Sequence, residues 1–167
     1  MRSTRSSLGF TLIELLVVLV IIGIMASFAV LQFGDRGSDL VNEESARLKT
    51  LIRVAREEAI LQGREYALAF NKTGYAFYSD EEDSGDWQPV QGDPALRERL
   101  MPDELKLSLV LEDQLLELEK DLPKKPPIFI MSSGEITPFS ISFRIEDFDA
   151  EPVELKFDAL GRTEPPL

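Results

Sequence analysis

Glu14 is the residue of this chain best placed to do chemistry, because it is the lone charge in an apolar run from Phe10 to Leu31. A carboxylate inside such a segment costs about 2.5–3.5 kcal/mol on insertion scales, so its presence marks a function. The chemistry open to it is ion pairing. Cleavage between Gly9 and Phe10 would create a positive amine, and at about 1.5 Å of rise per residue Glu14 lies roughly 6 Å along a helix axis from it. The carboxylate could neutralise its own amine or, after a small axial shift, that of a neighbouring subunit. A paired charge is tolerated in a low-dielectric setting where an unpaired one is strongly disfavoured. Thr11 and Glu14 also stand at capping-box spacing, T-x-x-E, which offers Glu14 a purely local role at a helix start.

Other chemistry is scarce. The chain has no cysteine and no histidine, which removes the commonest general base and the commonest metal ligand. It carries no nucleophile elbow, phosphate loop or dinucleotide fingerprint. Paired carboxylates such as Glu57–Glu58 leave a two-carboxylate glycosidase as the competing enzyme class. With 30 acidic residues, however, such pairs are unavoidable. The reading is therefore of a non-enzyme without catalytic, cofactor or metal residues. The acidic loop Asp80–Asp86 has the oxygen atoms calcium would want but lacks EF-hand spacing, and solvated acidic runs are common. Asn71-Lys72-Thr73 fits a glycosylation acceptor, although a turn asparagine explains it better. A net charge of −12 argues against nucleic-acid backbones as partners.

The elements that would position Glu14 follow from hydropathy. The run Phe10–Leu31 is long enough to span a bilayer as a helix, which needs about 20 residues. Arg2 and Arg5 precede it, whereas Asp35, Asp39, Glu43 and Glu44 follow it with Arg36 the only nearby base. By the positive-inside rule the N-terminus is cytoplasmic and the bulk of the chain lies outside. An ordinary signal peptide cut at Ser27-Phe28-Ala29, or an unprocessed single-pass anchor, would use the same run. After Gly34 and Gly37, which predict a hinge, helical periodicity resumes. Leu40, Leu48, Leu51, Ile52, Ala55, Ala59 and Ile60 make one stripe, and the charged face opposite reads as solvated or as a subunit contact. Gly63 is the stop. Uninterrupted to Gln62, the helix would be about 80 Å long.

Beyond Gly63 the period becomes two. Tyr66–Phe70 and Tyr75–Tyr78 flank a turn at Asn71–Gly74, and Trp87–Val90 is a short extended piece. Leu96–Leu100 reads as a helical turn, and Lys106–Leu111 as a strand. Asp113–Lys120 is ambiguous between strand and helix. Ile128–Met131, Ile136–Ile145 and Val153–Phe157 complete the strands. A long helix followed by several short strands predicts an α+β domain with antiparallel sheet packed on the helix.

Gly9-Phe10-Thr11-Leu12-Ile13-Glu14 followed by a long apolar helix resembles the class III signal of type IV pilins and type II secretion pseudopilins. R-E-E-A-I-L-Q-G-R at 56–64, the aromatic hairpin, Trp87, S-G-E-I-T-P-F at 133–139 and F-D-A-L-G-R at 157–162 together resemble the H-type minor pseudopilin. The resemblance implies a pilin-like fold with residues 1–9 as cytoplasmic leader and 10–33 as transmembrane and assembly helix. Residues 34–62 would be the amphipathic half of the helix, and 63–167 a periplasmic β-rich head. It implies cleavage by prepilin peptidase after Gly9, N-methylation of Phe10, and pairing of Glu14 with a neighbour's amino terminus. The implied partners are the other minor pseudopilins, the major pseudopilin and an inner-membrane assembly platform. The implied place is the tip of a short filament that exports folded proteins across the outer membrane. A type IV pilus minor pilin is the alternative.

Overall fold

The computed structural model describes residues 11–80, 84–146 and 152–163, with the backbone alone for 28–36. Helix α1 runs Leu12–Gln62, 51 residues without a break. Residues 34–37, expected to form a hinge or melted turn, are helical. Each interior glycine costs a helix about 1 kcal/mol, but propagation from established turns on both sides outweighs a local cost of that size. The chain divides into two compact units, Met1–Gly37 and Ser38–Leu167.

In the second unit the helix buries Val41, Leu48, Ile52, Ala55 and Ala59, a three-to-four-residue repeat along one face. Ile60, expected in the stripe, is instead 52% exposed. Gly63, at φ +61°, ends the helix, and Arg64 N–H donates to Ala59 O at 3.2 Å.

Two antiparallel sheets complete this unit. The first is built on the hairpin β1 (Tyr66–Asn71) and β2 (Gly74–Ser79), extended on one side by β7 (Ile128–Ile130). On its other side β2 receives two short pieces, β3 (Gln88–Pro89) and β4 (Arg99–Leu100). The second sheet has the order β6-β5-β8-β9, with β5 at Leu105–Leu111, β6 at Gln114–Leu116, β8 at Phe139–Ile145 and β9 at Val153–Phe157. The ambiguous stretch after Asp113 is thus strand. Adjacent leucines at 115 and 116 break the period-two signal because both are exposed, on opposite faces of the strand. The helical turn expected at Leu96–Leu100 is likewise replaced. Asp93 Oδ1 accepts from Ala95 N–H at 2.7 Å and Leu96 N–H at 3.3 Å, and the chain then extends into β4.

One core joins the helix stripe to the inward faces of both sheets, including Leu68, Phe77, Leu109, Ile141, Phe143 and Leu155. Phe70 of β1 meets Phe139 of β8 at 6.1 Å between centroids, and Phe139 stacks on Phe157 at 4.8 Å. Fully burying side chains of this size stabilises by about 1.5–3 kcal/mol each. The opposite face of the first sheet is lined by Ala67, Ala69 and Ala76, packed by Trp87 and Leu122. Trp87 in turn meets Phe129 at 5.5 Å.

Candidate assembly site

Thr11 starts α1 as its N-cap. Its Oγ1 accepts from Glu14 N–H at 3.3 Å, and its carbonyl accepts from Glu14 N–H at 3.1 Å and Leu15 N–H at 3.3 Å. The capping geometry read from T-x-x-E is therefore present through the Glu14 backbone. The Glu14 carboxylate itself has no hydrogen bond or ion pair among the described residues. A carboxylate in the first helical turn gains about 0.3–1 kcal/mol from the helix dipole. That falls short of the about 2.5–3.5 kcal/mol that an apolar setting costs it. Wherever this turn is covered by apolar material, Glu14 needs a cation from elsewhere.

The surroundings of Glu14 are apolar on every side. Leu12, Ile13, Leu15, Leu16, Leu19 and Ile22 are all more than half exposed, and Val17 and Val18, on other faces, nearly so. Among the described residues no helix is long and apolar enough to cross a membrane. The exposed apolar stretch with described side chains, from Leu12 to Ser27, is shorter than the about 20 residues a span requires. Gly9 and Phe10 lie outside the described residues.

The head places the other chemistry-bearing residues in structural work. The helix face read as solvated is partly buried: Glu44 is ion-paired with Arg47 and, at 3.6 Å, with Arg99 of β4. Sequence periodicity missed this pairing because β4 returns to the helix from far along the chain. Glu44 Oε2, Arg99 Nε and the hydroxyl of buried Tyr75 make no hydrogen bond. Burial, with the Glu44 charge adding to it, pushes Tyr75 up to about 12. Glu57 is paired with Arg53 at 4.0 Å, while Glu58 accepts from Gln62, so each carboxylate has its own helix partner. Asn71 Oδ1 accepts from Thr73 N–H at 3.0 Å and its Nδ2 donates to Lys120 O at 3.2 Å, the work of a buried turn asparagine. Asp80 accepts from Ser84 N–H at 3.1 Å and Gly85 N–H at 2.6 Å, while Glu81–Asp83 of the acidic loop lie outside the described residues. Among the described residues no group of three or more acids could hold a metal ion.

Residues 44–161 match the family described as Type II transport protein GspH. The chain belongs to the GspH family. Residues 4–30 match the prokaryotic N-terminal methylation motif, which covers Gly9, Phe10 and Glu14. The type II secretion system protein H of Pseudomonas aeruginosa is 37% identical, over 82% of this chain and 83% of that one. The fold is that of the minor pseudopilin EpsH from the type 2 secretion system of Vibrio cholerae, with a TM-score of 0.62 at 21% identity over 75% of this chain and 94% of that one. GspH membership bears out the resemblance to the H-type minor pseudopilin, and the pilin-like α+β fold is as expected. A Pseudomonas aeruginosa fimbrial protein is 38% identical, but over only 36% of this chain and 40% of its own length. The pilus alternative is therefore the weaker one.

Proposed function

We propose that this GspH-family chain is a structural, non-catalytic subunit of the type II secretion pseudopilus, held in assembly by its N-terminal helix. The observation that carries the reading is Glu14, a carboxylate with no partner in its own chain's described residues, in the first turn of an exposed apolar helix. In this reading prepilin peptidase cuts after Gly9 and the new amine of Phe10 is methylated. The subunit waits in the inner membrane with its leader side cytoplasmic and its head periplasmic. Neighbouring pseudopilin helices then cover the apolar segment, and Glu14 pairs with a neighbour's amino terminus. The minor pseudopilins sit at the filament tip, and the major pseudopilin and inner-membrane platform extend it to export folded proteins.

The test is a Glu14→Ala precursor expressed with the secretion apparatus. The expected result is a mature chain beginning at methylated Phe10, by intact mass, that is absent from the sheared filament fraction. Normal incorporation would remove the role given to Glu14. A chain beginning at Val30, or one left uncut beside an active peptidase, would remove the processing step and the assembly reading with it.

A further inference from the structure

The β5–β6 hairpin of the second sheet leaves an open strand edge set in unbalanced charge. Its two-residue turn, Glu112-Asp113, has positive φ at both positions, and Leu111 faces Gln114 across it. In a hairpin of that type the pair flanking the turn exchanges hydrogen bonds, and the next pair, Val110 and Leu115, does not. The N–H and C=O of Leu115 therefore point away from β5, and among the described residues β6 pairs with β5 alone. Leu115 is 73% exposed and Leu116 is 41% exposed, on opposite faces of this edge. Beside Leu116 lies a groove of about 270 Å³ lined by Leu118 and Pro127 with Glu117, Glu119, Asp121 and a single base, Lys125.

Charge selects the occupant. The carboxylates of Glu112, Asp113, Glu117, Glu119 and Asp121 have no ion pair among the described residues, while Lys106 on β5 is committed to Glu146 at 2.9 Å. Exposed leucines on an unpaired edge usually invite any strand. Ringed by unneutralised acids, they favour one whose side chains alternate apolar and basic: apolar groups on the face of Leu116 and its groove, and cations on the opposite face, whose stems cover Leu115 while their charges meet the acids. We infer that the outer edge of β6 is a docking site for an extended segment of a partner protein bearing alternating apolar and basic residues. The site uses neither Glu14 nor the apolar helix, so it stands or falls separately from the assembly reading.

The test uses the full chain in detergent micelles and a capped peptide of alternating valine and lysine, seven residues long, as the probe. Saturable binding is expected, weakened at least tenfold by Leu116→Glu and by Glu117→Lys. Glu154→Lys, an identical charge change on β9 at the far edge of the same sheet, should alter it less than twofold. Leu116 and Glu117 are exposed, and unchanged circular dichroism establishes that their variants are folded. Equal weakening by Glu117→Lys and Glu154→Lys would mean attraction to net charge alone and would overturn the proposal. Absence of saturable binding would overturn it too, as would self-association of the chain abolished by Leu115→Lys, which makes the occupant a second copy. In cells, a photo-crosslinker at position 115 should join a peptide of the stated pattern, and attachment to segments without it counts against the site.

Discussion

Arg56 Nε donates to the carbonyl of Gly134 at 2.8 Å across 78 residues of sequence. The same side chain lies against Gly161, where a Cβ would fall 2.6 Å from Arg56 Cδ. Gly134 ends a turn after β7 of the first sheet, and Gly161 closes a turn after β9 of the second. Three separated stretches, R-E-E-A, S-G-E and A-L-G-R, thus converge on one guanidinium. Arg56→Ala should lower the stability of the head by about 1.5–3 kcal/mol, the usual scale for a hydrogen bond to a charged group. Arg56→Lys should recover little of it, because an ammonium cannot reproduce the planar guanidinium. Gly161→Ala, at φ +66° and against Arg56, should cost about 1–2 kcal/mol from backbone strain alone. Urea unfolding of the three variants measures each loss.

Gly74 is needed for a different reason. Its Cβ would lie 2.0 Å from the carbonyl oxygen of Arg99, so any side chain there must lift β4 off β2. Gly74→Ala should destabilise by about 1–3 kcal/mol, the range of an overpacked core site. Amide exchange should quicken first at Met101, whose N–H bonds Thr73 O at 2.8 Å.

The buried group around Glu44 gives two opposite outcomes. Glu44→Ala leaves Arg99 without its carboxylate, while Arg47 keeps Glu43 at 2.6 Å, and should cost about 1.5–3 kcal/mol. Tyr75→Phe removes a buried hydroxyl that has no partner and should be neutral or stabilising by up to about 1 kcal/mol. The Tyr75 phenol also predicts a pH effect. Its folded value of about 12 lies above the ordinary value near 10, so the folded state holds the proton more tightly. Its contribution is complete below about pH 10 and is lost as pH rises to about 12, on the order of 2–3 kcal/mol. The difference between the parent and Tyr75→Phe in denaturant midpoint against pH isolates this from the titration of lysines.

At the β5–β6 turn, Glu112 has φ 51° and Asp113 φ 60°. Both are left-handed positions that asparagine and glycine occupy with less strain. Glu112→Asn with Asp113→Gly should stabilise the head by about 1 kcal/mol, read as a higher thermal midpoint with the same unfolding cooperativity.

Much of this architecture was legible because its signals are local. Tyr66 to Tyr78 announces a hairpin by alternation and by Asn71–Gly74, and the observed strands meet at that turn. The strand at Ile128 falls in a short continuous apolar run, and those at Ile141 and Leu155 where apolar residues alternate. Glu14 was found through its isolation among apolar neighbours. What stayed hidden depends on contacts between distant segments. Glu44 and Arg56 sit on a helix face whose composition reads as solvated, and their partners, Arg99 and Gly134, return from later in the chain. The strand at Gln114–Leu116 was ambiguous because exposure removes the periodicity that marks a strand.

The first sheet also bears on how the subunit survives storage. β2 is covered along its outer side by Gln88–Pro89, by the Val90 N–H bonded to Phe77 O at 2.9 Å, and by Arg99–Leu100. On the other side, Thr137 N–H reaches Phe129 O at 2.9 Å, and Thr137 Oγ1 accepts from Phe129 N–H at 3.0 Å. The most aromatic strands of the molecule are thus withheld from runaway pairing between copies. Heads crowded against one another would therefore not seed amyloid through this sheet.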